Sequence, residues 1–446
     1  MRTHKADQEA PRGVSSKSMR AIHRHFGGHF GPMRIVQRPL LGALAIALFV
    51  ACSSSTRPPM DSVDQRPDGG AALEGGGDAT VSDASGSADA NASEASIESS
   101  SDAVEFVYPT ILDAGSDAAS PPPVPQSCLT PGPGVSDCGP DGGSSCCAGS
   151  ILPEGNFLRS YDGTTPQHTS TAFPAAVASF WLDQYEVTVG RFRPFVNAVV
   201  GGWLPEVAEG KHVHLNIGAG LEAVGAADAD GSSTDPYESG WETAWNANLL
   251  TTADAWNTAL ACDPTTANWT STPGANEHLP ANCMTWYEAY AFCIWDGGFL
   301  PSEAEWNYAA SGGDDQRVYP WSNPASSATI DCSYANYHGA DMDSDYCVAP
   351  GLGATNAVGS ESPAGDGKWG QSDLAGNVFE WNLDYYAPYV SPCSNCAYLA
   401  STATSARVIR GGAFGNAATF LLSSARNSND PLGRTSSLGA RCARPP

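Results

Sequence analysis

Basic residues are scarce in this chain. Its 446 residues include 22 Lys and Arg against 48 Asp and Glu, and 8 of the 22 lie in the first 51 residues. From Cys52 onward, 46 acidic residues face 14 basic ones. Such a surface repels phosphate backbones, which excludes sequence-general nucleic-acid binding. Long apolar runs are lacking too. The longest, residues 39–51 (PLLGALAIALFVA), has 13 residues, whereas a membrane-spanning helix needs about 20. There is no glycine-rich phosphate loop and no nucleophile-elbow motif. Aromatic residues are not lacking: twelve Trp and 41% hydrophobic residues exclude a wholly disordered chain.

The short apolar run has the length of a signal-peptide core, and Arg34 and Arg38 supply its positive flank. It ends in Phe49-Val50-Ala51-Cys52, followed by Ser53-Ser54-Ser55. Small residues before a Cys directly after the apolar run resemble the bacterial lipobox, although Phe49 stands where Leu is usual. The resemblance implies that Cys52 carries lipid and anchors the chain to a membrane. Ser53 after the Cys, in place of Asp, points to the outer membrane. The expected location is the cell envelope, as an outer-membrane lipoprotein facing the periplasm or the exterior. The signal occupies residues 33–52. Residues 1–32 precede it and read as an extra or misassigned N-terminus.

Residues 53–126 read as a disordered tether rich in Ser, Asp, Ala, Gly and Pro. Aromatic residues are nearly absent there, so the segment cannot bury enough apolar surface to offset ordering entropy. Pro121-Pro122-Pro123-Val124-Pro125 closes it as a stiff extended piece. Residues 127–153 form a Cys-rich lead-in. Cys128, Cys138, Cys146 and Cys147 stand among Gly and Pro, with no CxxC pair and no His. This pattern suits disulfides in an oxidising compartment better than a metal. Twelve Cys follow Cys52, an even number.

Residues 154–446 form the folded domain. Gly, Asn, Ser and Pro interrupt most apolar runs, which predicts an α+β, loop-rich fold. Residues 180–187 alternate like a strand, and Thr188 can cap a helix running to about Val199. Thr285-Trp286-Tyr287-Glu288 and Ser302-Glu303-Ala304-Glu305 are capping-box patterns. They predict helices to about Asp296 and Ala310, with Gly297 and Gly312 just beyond.

Five blocks in order carry a family resemblance. They are Phe180-Trp181-Leu182-Asp183-Gln184-Tyr185-Glu186-Val187-Thr188, Leu279-Pro280-Ala281-Asn282-Cys283-Met284-Thr285-Trp286, Gly298-Phe299-Leu300-Pro301-Ser302-Glu303-Ala304-Glu305-Trp306, Asp373-Leu374-Ala375-Gly376-Asn377-Val378-Phe379-Glu380-Trp381, and Arg407-Val408-Ile409-Arg410-Gly411-Gly412 with Gly439-Ala440-Arg441-Cys442. Together they resemble the formylglycine-generating enzyme (sulfatase-modifying factor) domain. The resemblance implies a variant of the C-type lectin fold with bound calcium. It implies one calcium held by the side chains of Asp373 and Glu380 and the backbone of Gly376 and Val378, a mixed oxygen set that Ca²⁺ accepts. A second calcium site would start at Asn336 and Tyr337; its later acidic ligand has no assigned position, because Asp341, Asp343 and Asp345 all lie in a stretch, between Cys332 and Cys347, that diverges from the family. The resemblance also implies a Cys293–Cys442 disulfide. Cys262 with Cys283, Cys332 with Cys347, and Cys393 with Cys396 are sensible local pairs; the last could instead be a redox pair.

At the catalytic block the chain departs from the family. The family oxidase binds Cu(I) through two Cys five residues apart, shortly after the Arg-Gly-Gly that matches Arg410-Gly411-Gly412. Soft Cu(I) prefers sulfur. Here residues 413–424 contain no Cys, His or Met, and Cys442 is the only Cys beyond Cys396. Copper is therefore not expected. Histidine-bound iron, used by a related branch, needs an added helical domain that this chain lacks. His212 and His214 read as solvated.

The expected function is a non-catalytic binding or interaction module for a protein, peptide or glycan ligand. Trp203, Trp241, Trp245, Trp256 and Trp269 could line its surface or belong to the core. The alternative is a divergent formylglycine-generating-type oxidoreductase or other metal-dependent oxygenase acting on exported proteins. A His or carboxylate metal cluster facing residues 410–414 would favour that alternative.

Overall fold

A computed structural model describes residues 123–225, 236–339, 346–348, 353–400 and 406–446. The segments expected to be signal peptide and tether, through residue 122 and including Cys52, and Asp341, Asp343 and Asp345 lie outside the described residues.

The described chain runs β1 (Gly149–Leu152), β2 (Gly155–Leu158), β3 (Pro174–Val177), β4 (Phe180–Asp183), α1 (Val189–Val200), β5 (Glu222–Val224), α2 (Ala253–Ala259), α3 (Trp286–Trp295), α4 (Glu303–Ser311), β6 (Phe379–Tyr385), β7 (Cys393–Ser394), β8 (Cys396–Tyr398), β9 (Arg407–Arg410), β10 (Asn427–Asn429), β11 (Leu438–Gly439) and β12 (Ala443–Arg444). The strands form small sheets ordered β1-β4-β12, β10-β9-β6-β11, β2-β3-β7 and β5-β8. This is the loop-rich α+β class expected.

The helices start where their caps stand. The side-chain oxygens of Thr188, Thr285 and Ser302 accept the N–H groups of Arg191, Glu288 and Glu305, and both capping boxes close reciprocally. Gly312 ends α4 in the left-handed conformation, which glycine adopts without a Cβ clash. Thr252 caps α2 in the same manner. That helix was not expected, because its seven residues are too few to show a helical period. Strand β4 stops at Asp183, short of Val187. From there the chain turns so that Glu186 can reach Asn377 and Val378.

Aromatic packing ties residues 201–225 and 236–280 to the domain. Trp241 and Trp256 are fully buried in the main core with Phe192, Phe195, Trp286 and Phe292. Trp203, Trp245 and Trp269 pack against it. The core reading of these tryptophans therefore holds.

The reading of His212 and His214 as solvated is overturned. His212 is fully buried, with Nδ1 2.9 Å from Glu238 and Nε2 3.0 Å from Glu305. Phe299 packs 3.7 Å from its ring centre. A buried imidazole bonded to a carboxylate on each side is held as imidazolium. Burial alone would lower its pKa, but Glu305 and Glu238 raise it to about 10. His214 lies beside it, and both its ring nitrogens are buried without a partner. Burial, reinforced by the charge on His212, lowers the His214 pKa to about 4. The sequence showed two histidines in a polar stretch; the partners come from residues 26 and 93 positions away.

Because the pKa of His212 is raised on folding, its contribution is complete below about pH 6.5 and fades as pH rises toward 10. The His212→Gln variant should lose a few kcal/mol of stability at pH 6. Its deficit against the parent should shrink on going to pH 10. Chemical denaturation at both pH values checks this, and an unchanged deficit would refute the imidazolium clamp.

Candidate functional site

Strands β6 and β9 lie side by side in the central sheet, with Glu380 opposite Arg410 and Trp381 opposite Ile409. Residues Gly411 to Phe414 leave β9 through two left-handed glycines, at φ +95° and +72°. This is where the family's copper-binding segment would begin.

The segment is packed by carbon. Ala413 and Leu421 are fully buried, and a Cβ on Gly412 would meet Leu421 Cδ1 at 2.6 Å. Phe414 N–H donates to the Asn377 carbonyl, and Ala413 N–H donates to Asn416 Oδ1. His338 N–H donates to the Asn416 carbonyl, its ring stacks on Tyr346 with centres 4.2 Å apart, and its Nε2 has no partner.

Beneath the segment lies an ion-pair network. Glu303 sits at the first turn of α4 and accepts from Arg410 at 2.6 Å, Arg426 at 2.6 Å and Tyr389 at 3.0 Å. Burial acts to raise its pKa, and Arg426 and Arg410 overcome that, holding the carboxyl at about 2. A carboxylate already shared by two guanidiniums has no free charge for a metal. Among the described residues, no group of three His, Cys, Asp or Glu side chains is arranged to hold one.

Every described cysteine is paired. Cys293 pairs with Cys442, as the resemblance implied, and Cys262–Cys283, Cys332–Cys347 and Cys393–Cys396 are the local pairs expected. In the lead-in, Cys128 joins Cys147 and Cys138 joins Cys146. All twelve Cys after Cys52 are thus disulfide-bonded. Cys393 and Cys396 are buried, which suits a structural bridge.

The residues proposed for calcium fall into two neighbouring turns. Asn377 N–H donates to the Asn336 carbonyl at 2.8 Å, and a Cβ on Gly376 would lie 2.6 Å from the same oxygen. The turns therefore touch. The Asn336 amide donates to the Ala354 carbonyl, and Tyr337 is buried beside them.

Glu380 is already committed. Its oxygens accept from Arg441 Nε at 2.7 Å, Arg441 Nη2 at 2.6 Å and Trp306 Nε1 at 2.8 Å. Asp373, in the left-handed region at φ +58°, accepts only the Gly359 N–H, at 2.6 Å, among the hydrogen bonds described. Two oxygens that sequence reasoning missed belong to the same region. Asn356 Oδ1 and Glu361 Oε2 are buried without partners, while Asn356 Nδ2 donates to Glu361 Oε1.

Electrostatics set this turn apart. Burial, and then Asp373 and Glu380, raise Glu186 well above the carboxylate range. Burial and Asp373 raise Glu361 to about 8, and burial raises Asp373 to about 6. Arg441 is the guanidinium that counters Asp373 and Glu186. A hard cation with oxygen ligands fits such an excess of buried carboxylate. Asp373, Asn356 and Glu361 fit as donors; Glu380 fits as the ion-pair partner of Arg441.

Comparison with known proteins agrees with this scaffold. Residues 138–446 match the sulfatase-modifying factor enzyme 1-like domain. The formylglycine-generating enzyme of Streptomyces coelicolor is 28% identical over 336 residues, covering 72% of this chain and 95% of that one. The formylglycine-generating enzyme of Bos taurus is 27% identical over 298 residues, covering 66% and 73%. The inactive Cα-formylglycine-generating enzyme 2 of Mus musculus is 31% identical over 170 residues, covering 37% and 49%. Among solved structures, PvdO from Pseudomonas aeruginosa aligns with a TM-score of 0.42 at 19% identity, covering 67% of this chain and 94% of that one. With more than half of its length matched, and the ordered blocks at β4, α3, α4, β6 and β9 in place, this chain belongs to the formylglycine-generating enzyme (sulfatase-modifying factor) family.

Proposed function

We propose that this chain is an exported, lipid-anchored member of the family that no longer performs copper chemistry and serves as a binding module in the cell envelope. The observation that carries this reading is the sulfur accounting. Cu(I) prefers soft thiolate or thioether donors, yet residues 413–424 contain neither Cys, His nor Met, and all twelve Cys after Cys52 are tied in disulfides. Carbon packing and the Glu303 network hold the segment in place without a ligand set. A relative bearing the name of an inactive enzyme supports the same conclusion.

Calcium belongs to this proposal as a structural ion. Asp373, with the backbone of Gly376 and Val378 and the free oxygens of Asn356 and Glu361, would hold it. The bound ion would neutralise buried carboxylates and tie the turn before β6 to residues 356–361.

Three outcomes are expected. The full-length chain, incubated with a Cys-containing sulfatase-type peptide, Cu(I), a mild reductant and O₂, should leave the peptide mass unchanged beside an active enzyme control. Conversion of Cys to formylglycine would overturn the reading. Added Ca²⁺ should raise the Tm of the parent by several degrees and that of Asp373→Ala much less; equal shifts would remove Asp373 from the site. In cells fed labelled palmitate, the parent should carry label and Cys52→Ser should carry none. An unlabelled parent would argue against the anchor.

A further inference from the structure

We propose that the cleft lined by Arg407, Glu238, Glu242, Trp286, Tyr290 and Tyr385 binds the zwitterionic head group of a small α-amino acid. The proposal rests on the binding-module reading and gives it a ligand class.

Arg407 opens β9 opposite Tyr385 of β6. Its guanidinium carbon lies 3.7 Å from the Trp286 ring centre and 3.5 Å from that of Tyr385. Two rings this near cannot share one face, so they cover both faces of the guanidinium. Nη1 donates to the Leu383 carbonyl at 2.6 Å, and Nε is buried without a partner. Arg191, Arg410, Arg426, Arg434, Arg441 and Arg444 all pair with carboxylates. Arg407 has no such partner among the described residues, although it is only 3% exposed. Stacking leaves it only the in-plane Nε–Nη2 edge, the fork that matches a carboxylate. Burial in this unpaired setting lowers its pKa to about 10.

Glu238 supplies the opposite need. Its Oε2 accepts from His212 N–H, His212 Nδ1 and Leu221 N–H, while Oε1 is buried with no partner. Glu242 is exposed on the same cleft. A plain anion would meet these two carboxylates, and a plain cation would meet Arg407. A ligand carrying both charges satisfies both ends, and the aromatic faces add cation–π attraction for an ammonium.

The cleft offers about 40 Å³ of water-accessible space and opens to solvent at exposed Glu242, which admits the charged end of a small ligand.

Titration calorimetry on the full-length chain tests this with glycine and L-alanine. N-acetylglycine, which lacks the ammonium and mimics a peptide C-terminus, and glycinamide, which lacks the carboxylate, serve as controls. Glycine or alanine should bind saturably, and both controls should bind at least about tenfold more weakly. Arg407→Lys, which keeps the charge and loses the fork, and Glu242→Gln should each weaken glycine binding. If Arg407→Lys does not fold, the comparison of ligands on the parent chain decides alone.

Absence of saturable binding by either amino acid overturns the proposal. Equal binding of N-acetylglycine overturns it in favour of a peptide C-terminus, and equal binding of glycinamide removes the carboxylate fork. The oxidation assay separates the two readings. Formylglycine formation would overturn the module itself, whereas an unoxidised peptide with no amino-acid binding overturns only this ligand.

Discussion

The last six residues hold this domain together. Strand β12 pairs with β4 near the domain's start, bringing Ala443 opposite Leu182 and Arg444 opposite Trp181. Within the same stretch Cys442 reaches Cys293 on α3, Arg441 forks onto Glu380 of β6, and Arg444 pairs with Asp183 and Asp296. Arg191 from α1 joins both aspartates. Sheets this small cannot orient one another by extended ladders. Buried charge does that work here, because a buried carboxylate without its guanidinium costs about 3–5 kcal/mol. The disulfide closes a loop of 149 residues and restrains the unfolded chain by roughly 4–5 kcal/mol on entropic grounds.

This way of holding a fold explains how the catalytic segment could lose its thiols without collapse. In residues 411–425 the backbone path is fixed from below. Arg410 is anchored on Glu303, Asn307 donates to the Ser423 carbonyl, and Ser423 donates to the Ala310 carbonyl. Leu421 fills the space above Gly412. None of these contacts involves sulfur, so the path of this segment does not depend on a thiol.

Local features were legible in the sequence because their causes are local. Thr285 and Ser302 announce their helices through Glu288 and Glu305, three residues on. Gly312 marks a helix end by its conformation. The disulfides of the local Cys pairs were legible because their partners are near in the chain. What was not legible depends on pairs far apart in the chain. His212 reads as a polar-loop histidine until Glu238 and Glu305 close on it. Glu380 reads as a calcium ligand until Arg441 takes both its oxygens. Arg407 reads only as the start of a family block until Trp286 and Tyr385 cover its faces. In each case the residue type was visible and its partner was not, since no period or spacing links positions brought together by loops.

Charge pairing also organises the interior. In most of the interior, buried charges are matched: Glu303 with Arg410 and Arg426, Glu288 with Arg434, Glu380 with Arg441, and Asp183 and Asp296 with Arg191 and Arg444. Such matching is what a low-dielectric interior demands. Several places depart from it. Among the described residues, Arg159 stacks on Tyr389 and donates to the Val390 carbonyl with no carboxylate partner, and Asp384 accepts the backbone N–H groups of Glu303 and Tyr398 with no cation partner. Around Asp373, Glu186 and Glu361, carboxylate outnumbers cation, and free oxygens face inward. Around Arg407, a stacked guanidinium and a Glu238 oxygen stand unpaired beside one small cleft. The calcium and amino-acid proposals rest on the last two places, because there the unmatched charge lies beside oxygens or a cleft that a bound group could fill, and a low-dielectric interior makes an uncompensated charge costly.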